Sequence, residues 1–335
     1  MNRWFLLLCL ASPFFFAACS SSEESETEEG SDIQNEEAAN STLTAVRVET
    51  VSLDADADFW SSAPKLLVPT LGTTDEHPDG SAVTVKAAYD GTNLIIRAEW
   101  EDPTMSLLKN AWTWDGTAFT KSGDEDRIMI HFPIENYPEF ASKGCTEACH
   151  NTADDPETWY MATGEEAYRL DQWHWKAART NPIGFADDKW VTVQLDPADV
   201  ESAHQGDAKE GGGDSANVNE DGTGPAYMHS TDLSSQYILV GDEMPVDTSL
   251  LEPGMVIPGY LLAPLAGSRG DVLAQGTWEN GRWVVVMMRA LDTGNEDDVI
   301  FIPPRPVPFG LSIVDDGGGL KHTNAPEVLT LEWEQ

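Results

Sequence analysis

Three residues near the middle of the chain have the types and spacing for covalent haem chemistry: Cys145, Cys149 and His150. Two thiols can add to the two vinyl groups of haem, and a histidine directly after the second cysteine can reach the iron. The usual motif has two residues between the cysteines, whereas this chain has three. A Cys145–Cys149 disulfide and a site for another metal are the alternatives. A zinc site would need four ligands, and no second cysteine pair supplies them.

Residues 1–18 have the features of an export signal. Arg3 supplies the positive start, and the apolar run that follows ends in Ala17 and Ala18, directly before Cys19. This junction resembles a bacterial lipobox, in which the cysteine is lipidated and becomes the first residue. An ordinary cleaved signal with a chance cysteine is the alternative. We predict a protein of the bacterial cell envelope, lipid-anchored through Cys19 and either periplasmic or surface-exposed, where disulfides and covalent haem attachment both occur.

The chain is strongly acidic, with a formal net charge of −39. This charge opposes binding to nucleic acid and to an anionic membrane surface. The acids either serve solubility or form a docking face for a basic redox partner. Residues 19–42 hold many acids and no basic or aromatic residue. Such a segment cannot bury enough apolar surface to fold, so it is predicted to be a disordered acidic linker.

Residues 43–335 are predicted to form one domain of short strands separated by turn residues. Asp90-Gly91 and Asn280-Gly281 each lie between two apolar segments and are typical of tight hairpins. The pattern favours a mainly β fold, an antiparallel β-sandwich, with a helix at 165–179 and long loops at 135–160 and 200–228. The predicted strands are 83–89, 93–100, 127–132, 189–195, 236–240, 271–278, 282–289, 298–302, 309–314 and 327–333.

Six segments, in order along nearly the whole domain, carry a family resemblance: Ala88–Pro103, Glu125–Pro133, Gly144–His150, Trp173–Arg179, Gly267–Val272 and Gly281–Leu291. Together they resemble the haem-binding domain shared by ethylbenzene dehydrogenase gamma subunits, dimethyl sulfoxide reductase-like haem-binding proteins and related c-type cytochromes. The resemblance implies an immunoglobulin-like β-sandwich that holds one haem near one end of its sheets. The stretch 51–60 is also similar to a wider group of sandwiches that includes carbohydrate-binding modules.

The resemblance also implies where the iron ligands lie. In family members that bind haem non-covalently, a methionine in the mid-chain loop and a lysine near the C-terminus ligate the iron. Here His150 occupies the region of the methionine, and His322 or Lys321 that of the lysine. His322 is favoured, because a neutral imidazole binds iron at pH 7 whereas a lysine amine must first lose a proton.

Several other residues are candidates around the haem. Trp173, His174 and Trp175 are predicted to line its pocket, although tryptophans of a sandwich more commonly pack in the core. Reserve iron ligands are Met105, Met161, Met228 and His174.

These features predict a membrane-anchored monohaem c-type cytochrome that transfers electrons outside the cytoplasm. If attachment to the cysteines fails, the haem is b-type. The predicted partner is a redox protein, either a molybdopterin oxidoreductase, as for gamma subunits, or another cytochrome. The sequence contains no Gly-x-Ser-x-Gly elbow, phosphate loop or HExxH pair, so no catalytic site of its own is expected. The alternatives are a haem-free carbohydrate-binding-type β-sandwich lipoprotein with a Cys145–Cys149 disulfide, and a protein that uses haem for sensing or storage.

Overall fold

A computed structural model describes residues 41–72, 78–144, 160–317 and 322–335. Asn40–Gln335 forms one compact unit. The predicted signal, nearly all of the predicted linker, and the predicted site residues Cys19, Cys145, Cys149, His150 and Lys321 lie outside the described residues. Within the described ranges, no helix is long and apolar enough to cross a membrane.

The described part of the chain is built almost entirely from short strands. The single α-helix among the described residues is α1, Pro138–Lys143, and one-turn 3₁₀ segments lie at Asp58–Ser61, Asn181–Ile183, Val200–Ala203, Thr248–Leu250 and Ser268–Gly270. The strands are β1 Thr42–Arg47, β2 Leu66–Val68, β3 Leu71–Gly72, β4 Val83–Tyr89, β5 Asn93–Glu101, β6 Ala111–Trp114, β7 Phe119–Ser122, β8 Arg127–Pro133, β9 Leu170–Lys176, β10 Asp187–Val191, β11 His204–Gly206, β12 Gly211–Ala216, β13 Tyr227–His229, β14 Ile238–Leu239, β15 Glu243–Pro245, β16 Val256–Ile257, β17 Tyr260–Ala266, β18 Leu273–Trp278, β19 Arg282–Ala290, β20 Val307–Val314, β21 His322–Asn324 and β22 Leu329–Trp333.

Eleven strands form one continuous path that folds back on itself as a sandwich. Their order is β11-β10-β9-β8-β20-β22-β1-β4-β5-β19-β18, with β2 beside β4, and β21 between β20 and β3. We call β1, β4, β5, β19 and β18 the front layer, and β20 with β8–β11 the back layer. Neighbours are antiparallel except that β1 runs parallel to both β22 and β4. The prediction of a mainly β sandwich is confirmed.

The core lies between the two layers because every second residue of a strand points to the same face. On β8, Ile128 and Ile130 belong to the main core, which also holds front-layer residues. Trp175 of β9 meets two tryptophans of the front layer: its ring centroid lies 6.4 Å from that of Trp100 and 5.0 Å from that of Trp283. Aromatic burial of this kind contributes strongly to holding two layers together.

The predicted helix at 165–179 is wrong, because residues 170–176 form β9. The good helix formers Glu165, Glu166 and Ala167 lie in a turn before the strand. From Leu170 onward, burial on both faces of the sheet overrides local helix propensity.

Three other segments differ from expectation. The loop predicted at 135–160 contains α1, and the one predicted at 200–228 contains β11 and β12. The strand predicted at 298–302 is irregular backbone. The hairpins at Asp90-Gly91 and Asn280-Gly281 are confirmed, since they join β4 to β5 and β18 to β19. Gly91, Asn280 and Gly281 have positive φ, as tight hairpin turns require.

A buried cation ties the two layers together at one end. Arg289 of β19 is 1% exposed, and its Nη1 donates to Asp171 Oδ2 at 2.6 Å and to Asp298 Oδ1 at 3.0 Å. Asp188 Oδ2 lies 3.4 Å from the same nitrogen. Burial raises the pKa of Asp188 well above its ordinary value, and Asp171 adds to the rise. One guanidinium therefore holds three carboxylates from three elements within the core.

Replacing Arg289 with Met should lower the free energy of unfolding by about 3–5 kcal/mol, because it leaves buried carboxylates without their cation. Urea unfolding measures the loss. Arg282→Met is the matched control, since the Arg282 guanidinium is 46% exposed and pairs with Glu99 and Glu101 at the surface. The free energy of unfolding should fall much less in this variant. Equal losses in the two variants would show that bound protons, rather than Arg289, neutralise the cluster.

Candidate functional site

In the described part of the chain, the side chains best suited to bind a ligand lie on the outer face of the back layer. On β8 and β9, residues that alternate with the core positions point away from the front layer. Met129 lies opposite His174, and His131 lies opposite Gln172. Although this face is away from the core, His131 is 1% exposed and His174 is 6% exposed. We call this surface the histidine face.

Gln172 connects the groups of the histidine face. Its Nε2 lies 2.7 Å from His131 Nε2 and 3.4 Å from Met161 Sδ, while its Oε1 meets His204 Nε2 of β11. If the amide NH₂ donates to His131 and the amide oxygen accepts from His204, His131 carries its proton on Nδ1 and His204 on Nε2. One glutamine thus assigns opposite tautomers to two imidazoles.

His174 is a buried, neutral imidazole. Neither ring nitrogen has a hydrogen-bond partner, and its ring centroid lies 6.3 Å from that of His204 in a stacked arrangement. Burial lowers the pKa of His174 well below its ordinary value, and the charges of Lys176 and Arg127 lower it further. A neutral imidazole with a free lone pair is competent to bind a metal or accept a hydrogen bond.

Positive charge surrounds the imidazoles. Lys176 of β9 pairs with Asp187 of β10, and Arg269 Nε donates to the other Asp187 oxygen at 3.1 Å. Burial lowers the pKa of Lys189 to about 7, and the charge of Lys176 contributes to the shift. An anion placed beside Lys189 would stabilise its protonated form. The histidine face is therefore suited to a ligand that carries negative groups, in contrast to the acidic chain as a whole.

The predicted haem-pocket residues do not share one face. Trp173 and Trp175 are fully buried in the main core, whereas His174 between them points to the histidine face. Alternation along β9 is the reason. Trp173 stacks over the Arg289 guanidinium, with 5.2 Å between the ring centroid and Cζ.

His322 is buried on β21, opposite Val314 of β20. Because residues directly opposite each other point to the same side, the register places His322 on the same side of the back layer as His174. Three strand spacings separate β21 from β9, on the order of 14 Å between backbones. The structure therefore puts His322 and His174 on one face without bringing them together as a pair.

The reserve methionines lie in three different places. Met161 is on the histidine face through its contact with Gln172. Met105 is exposed at the surface, and Met228 is buried in a separate small core with Trp112 and Ile257.

Cys145, Cys149, His150 and Lys321 lie outside the described residues, but the residues that flank them in the chain are described. Residues 145–159 follow Gly144, which packs against Val328 in the connection between β21 and β22. They precede Tyr160 and Met161, at the Gln172 side of the histidine face. Residues 318–321 end directly before His322. The described residues that flank 145–159 and 318–321 thus lie close to β21 or at the histidine face.

A second candidate pocket lies at the end of the sandwich. It is a cavity of about 400 Å³, lined by Trp100 and Ile313 but also by four acids, Asp79, Glu101, Asp102 and Asp315. Burial raises the pKa of Asp102 to about 6, and the nearby Asp126 adds to the rise. Carboxylates that already repel one another make this cavity a poor place for an anionic ligand.

Sequence reasoning missed three residues of the histidine face: His131, Gln172 and His204. Alternation in the stretch from Ile128 to Phe132 could have placed His131 opposite to the core positions. No pattern in the sequence could have joined His204 to Gln172, because they lie on different strands and meet only through sheet pairing.

The fold and the face define a β-sandwich protein with a buried, histidine-bearing outer sheet surface. The chain belongs to the ethylbenzene dehydrogenase family, whose family model matches residues 57–323. A search of curated proteins gave no match.

Solved structures similar to this chain are distant. One, described as a carbohydrate-binding protein from Bacteroides uniformis, is 8% identical, with a TM-score of 0.38 and coverage of 88% of this chain and 99% of that chain. Another, a carbohydrate-binding module of family 9 from Caldicellulosiruptor kristjanssonii in complex with cellotriose, is 9% identical. Its TM-score is 0.36, with coverage of 88% of this chain and 93% of that chain. Likenesses this remote carry no argument about a ligand.

Replacing His174 with Leu should remove an acid-sensitive contribution to stability. The pKa of His174 in the folded protein lies below its ordinary value of 6.5, so the unfolded chain takes up a proton first as the pH falls. Below that pH the His174 contribution therefore lowers the stability of wild type by up to about 1.4 kcal/mol per pH unit, and the variant lacks this contribution. Urea unfolding should show the variant gaining on wild type by on the order of 2 kcal/mol between pH 7 and pH 5. A difference that is the same at both pH values would contradict a depressed His174 pKa.

Proposed function

We propose that this protein is a monohaem electron carrier of the bacterial cell envelope. Cys145 and Cys149 attach the haem covalently, and His150 and His322 ligate its iron, with Lys321 as the alternative to His322. If the three-residue spacing between the cysteines prevents attachment, the haem is held non-covalently as a b-type group. The haem, when bound, supplies a one-electron couple.

The observation that supports the proposal is that the described residues flanking 145–159 and 318–321 lie near β21 or at the histidine face. Gly144, before the two cysteines in the chain, lies beside the β21–β22 connection, and Met161, after them, contacts Gln172. His322 lies buried on the neighbouring β21. Membership of the ethylbenzene dehydrogenase family supports the same reading, because the haem-binding domains that this chain resembles belong to that group.

The chemistry of the described residues suits haem. Both ring nitrogens of the buried His174 lack a hydrogen-bond partner within the protein, as is expected of a group that contacts a ligand. Lys189 and Lys176 supply positive charge of the kind that haem propionates need, whereas the cavity near Asp102 does not. Gln172 holds His131 and His204 in defined tautomers, so the polar part of the face is ordered before a ligand arrives.

The rest of the proposal concerns location and partners. Lipidation at Cys19 would anchor the protein, and residues 19–42 would let the domain stand off the membrane. The family supports a molybdenum oxidoreductase as the electron-transfer partner, and another cytochrome is compatible as well. With both axial positions of the iron filled by protein ligands, no position remains for a substrate, so the chain has no catalytic site of its own.

A reduced pyridine haemochrome spectrum of the full-length protein, made in a host with periplasmic haem-attachment machinery, tests the proposal. Haem that survives acid–acetone extraction, with the band position of thioether-linked haem, is the expected result. Haem that is extracted would replace the c-type assignment by a b-type one. A protein without haem would overturn the proposal and favour the haem-free, carbohydrate-binding alternative with a Cys145–Cys149 disulfide.

Single substitutions assign the iron ligands. His150→Ala and His322→Ala should each abolish the low-spin spectrum, whereas Lys321→Met should leave it unchanged. His229→Ala is the matched control, because His229 lies on β13, in a different sheet, and its Nδ1 caps the following turn. If Lys321→Met loses the low-spin spectrum and His322→Ala keeps it, the lysine is the ligand.

A further inference from the structure

Three carboxylates meet where the back layer approaches the connection between β19 and β20. Asp207 directly follows β11, and Asp297 and Asp298 end the turn after β19. One oxygen from each lies within 4.8 Å of the others. Asp207 and Asp298 are each 3% exposed, and Asp297 is half-buried at the rim.

Asp207 is the unusual member of this group. Both of its carboxylate oxygens are buried without a hydrogen-bond partner. Leaving a buried carboxylate without partners is costly, and native proteins rarely do so. Among the described residues, no ion pair involves Asp207 or Asp297. The structure thus places an unpartnered oxygen of a buried side chain near one oxygen of each of two further carboxylates.

The surrounding charge does not balance the group. The nearest buried cation, Arg289, already interacts with Asp171, Asp188 and Asp298. Asp171 Oδ1 and Asp188 Oδ1 are buried without partners as well. Five carboxyl groups therefore share one guanidinium. Burial raises the pKa of Asp188 well above its ordinary value, and burial together with the charge of Asp297 raises the pKa of Asp207 to about 8. A divalent cation would supply the positive charge that this group lacks.

We propose that Asp207, Asp297 and Asp298 bind a Ca²⁺ ion. Ca²⁺ takes oxygen ligands at about 2.3–2.6 Å, so one ion spans a set of oxygens within 4.8 Å of one another. Mg²⁺ binds at about 2.0–2.1 Å, demands near-octahedral geometry and keeps its water ligands, which suits this buried set less well. The half-buried Asp297 gives the ion a route from solvent.

Neighbouring groups already orient one of the three ligands. Thr293 Oγ1 donates to Asp298 Oδ2, and Asn295 Nδ2 lies 3.4 Å from the same oxygen. Arg289 holds the other Asp298 oxygen. Outer contacts of this kind fix a ligand before the metal binds.

The ion also ties the histidine face to the opposite layer. Asp207 comes three residues after His204, which meets Gln172 on the histidine face. Asp298 belongs to the connection that leaves β19 of the front layer. Bound Ca²⁺ would therefore hold the edge strand β11, and His204 with it, in place.

Isothermal titration of Ca²⁺ into full-length protein stripped with chelator tests the proposal, with thermal unfolding measured with and without Ca²⁺. Wild type should bind Ca²⁺ and unfold at a higher temperature in its presence. Asp207→Asn and Asp297→Asn should each bind at least tenfold more weakly and lose most of the temperature shift. Asp242→Asn is the matched control, because Asp242 is exposed and outside the cluster; it should behave as wild type.

Two results would overturn the site. If wild type neither binds Ca²⁺ at millimolar concentration nor gains thermal stability from it, the protein has no Ca²⁺ site. Wild-type affinity in both Asp207→Asn and Asp297→Asn would place the ion elsewhere, for example at Asp102, Asp126 and Asp315, the carboxylate group beside the end cavity. Burial raises the pKa of Asp207 to about 8, and its carboxyl oxygens have no hydrogen-bond partner. A neutral amide therefore removes no favourable contact, and Asp207→Asn should fold without metal at least as stably as wild type. A loss of binding is therefore distinguishable from misfolding.

Discussion

The structure depends on one strand that is buried on both of its faces. All seven residues of β9 are buried, although four of them, Asp171, Gln172, His174 and Lys176, are polar or charged. Trp173 and Trp175 fill the core between the layers, so Gln172, His174 and Lys176 must lie buried on the other side. Buried polar groups need partners, and Gln172 and Lys176 find theirs on β8, β10 and β11. The histidine face is therefore a consequence of how β9 is packed.

Electrostatics divides the molecule into regions of opposite character. The chain carries a formal net charge of −39, but the histidine face collects Lys176, Lys189 and neutral imidazoles. At the front-layer end, Arg289 is shared among several buried carboxylates, and Asp207 is left without a partner. An anionic cofactor and a divalent cation would each find the environment that suits them, on opposite sides of the same sheet.

The fold is a β-sandwich, and the identity of its ligand has to be argued from the residues of the candidate site. Membership of the ethylbenzene dehydrogenase family rests on residues 57–323. The carbohydrate-binding structures are too distant to argue for sugar. Few of the large aromatic side chains that could stack on a sugar are free in the described ranges: Tyr227 and Tyr237 are exposed, while Trp173, Trp175 and Trp283 are in the core. The haem proposal instead rests on what surrounds His174 and His322.

The sequence by itself determined the strands and turns whose signals are local. Val83–Tyr89 begins with alternating apolar and polar residues, and Arg282–Ala290 contains a continuous apolar run. Asp90-Gly91 and Asn280-Gly281 supply the backbone conformations that tight hairpins need. The cysteine pair, His150 and the candidate ligand His322 were also visible as motifs. Only the tertiary structure decided that residues 170–176 form a strand, because burial on two faces outweighs the helix propensity of the residues before it. It alone joined Gln172 to His131 and His204, and Asp207 to Asp297 and Asp298, since sheet pairing brings together residues that are far apart in the chain and share no local pattern.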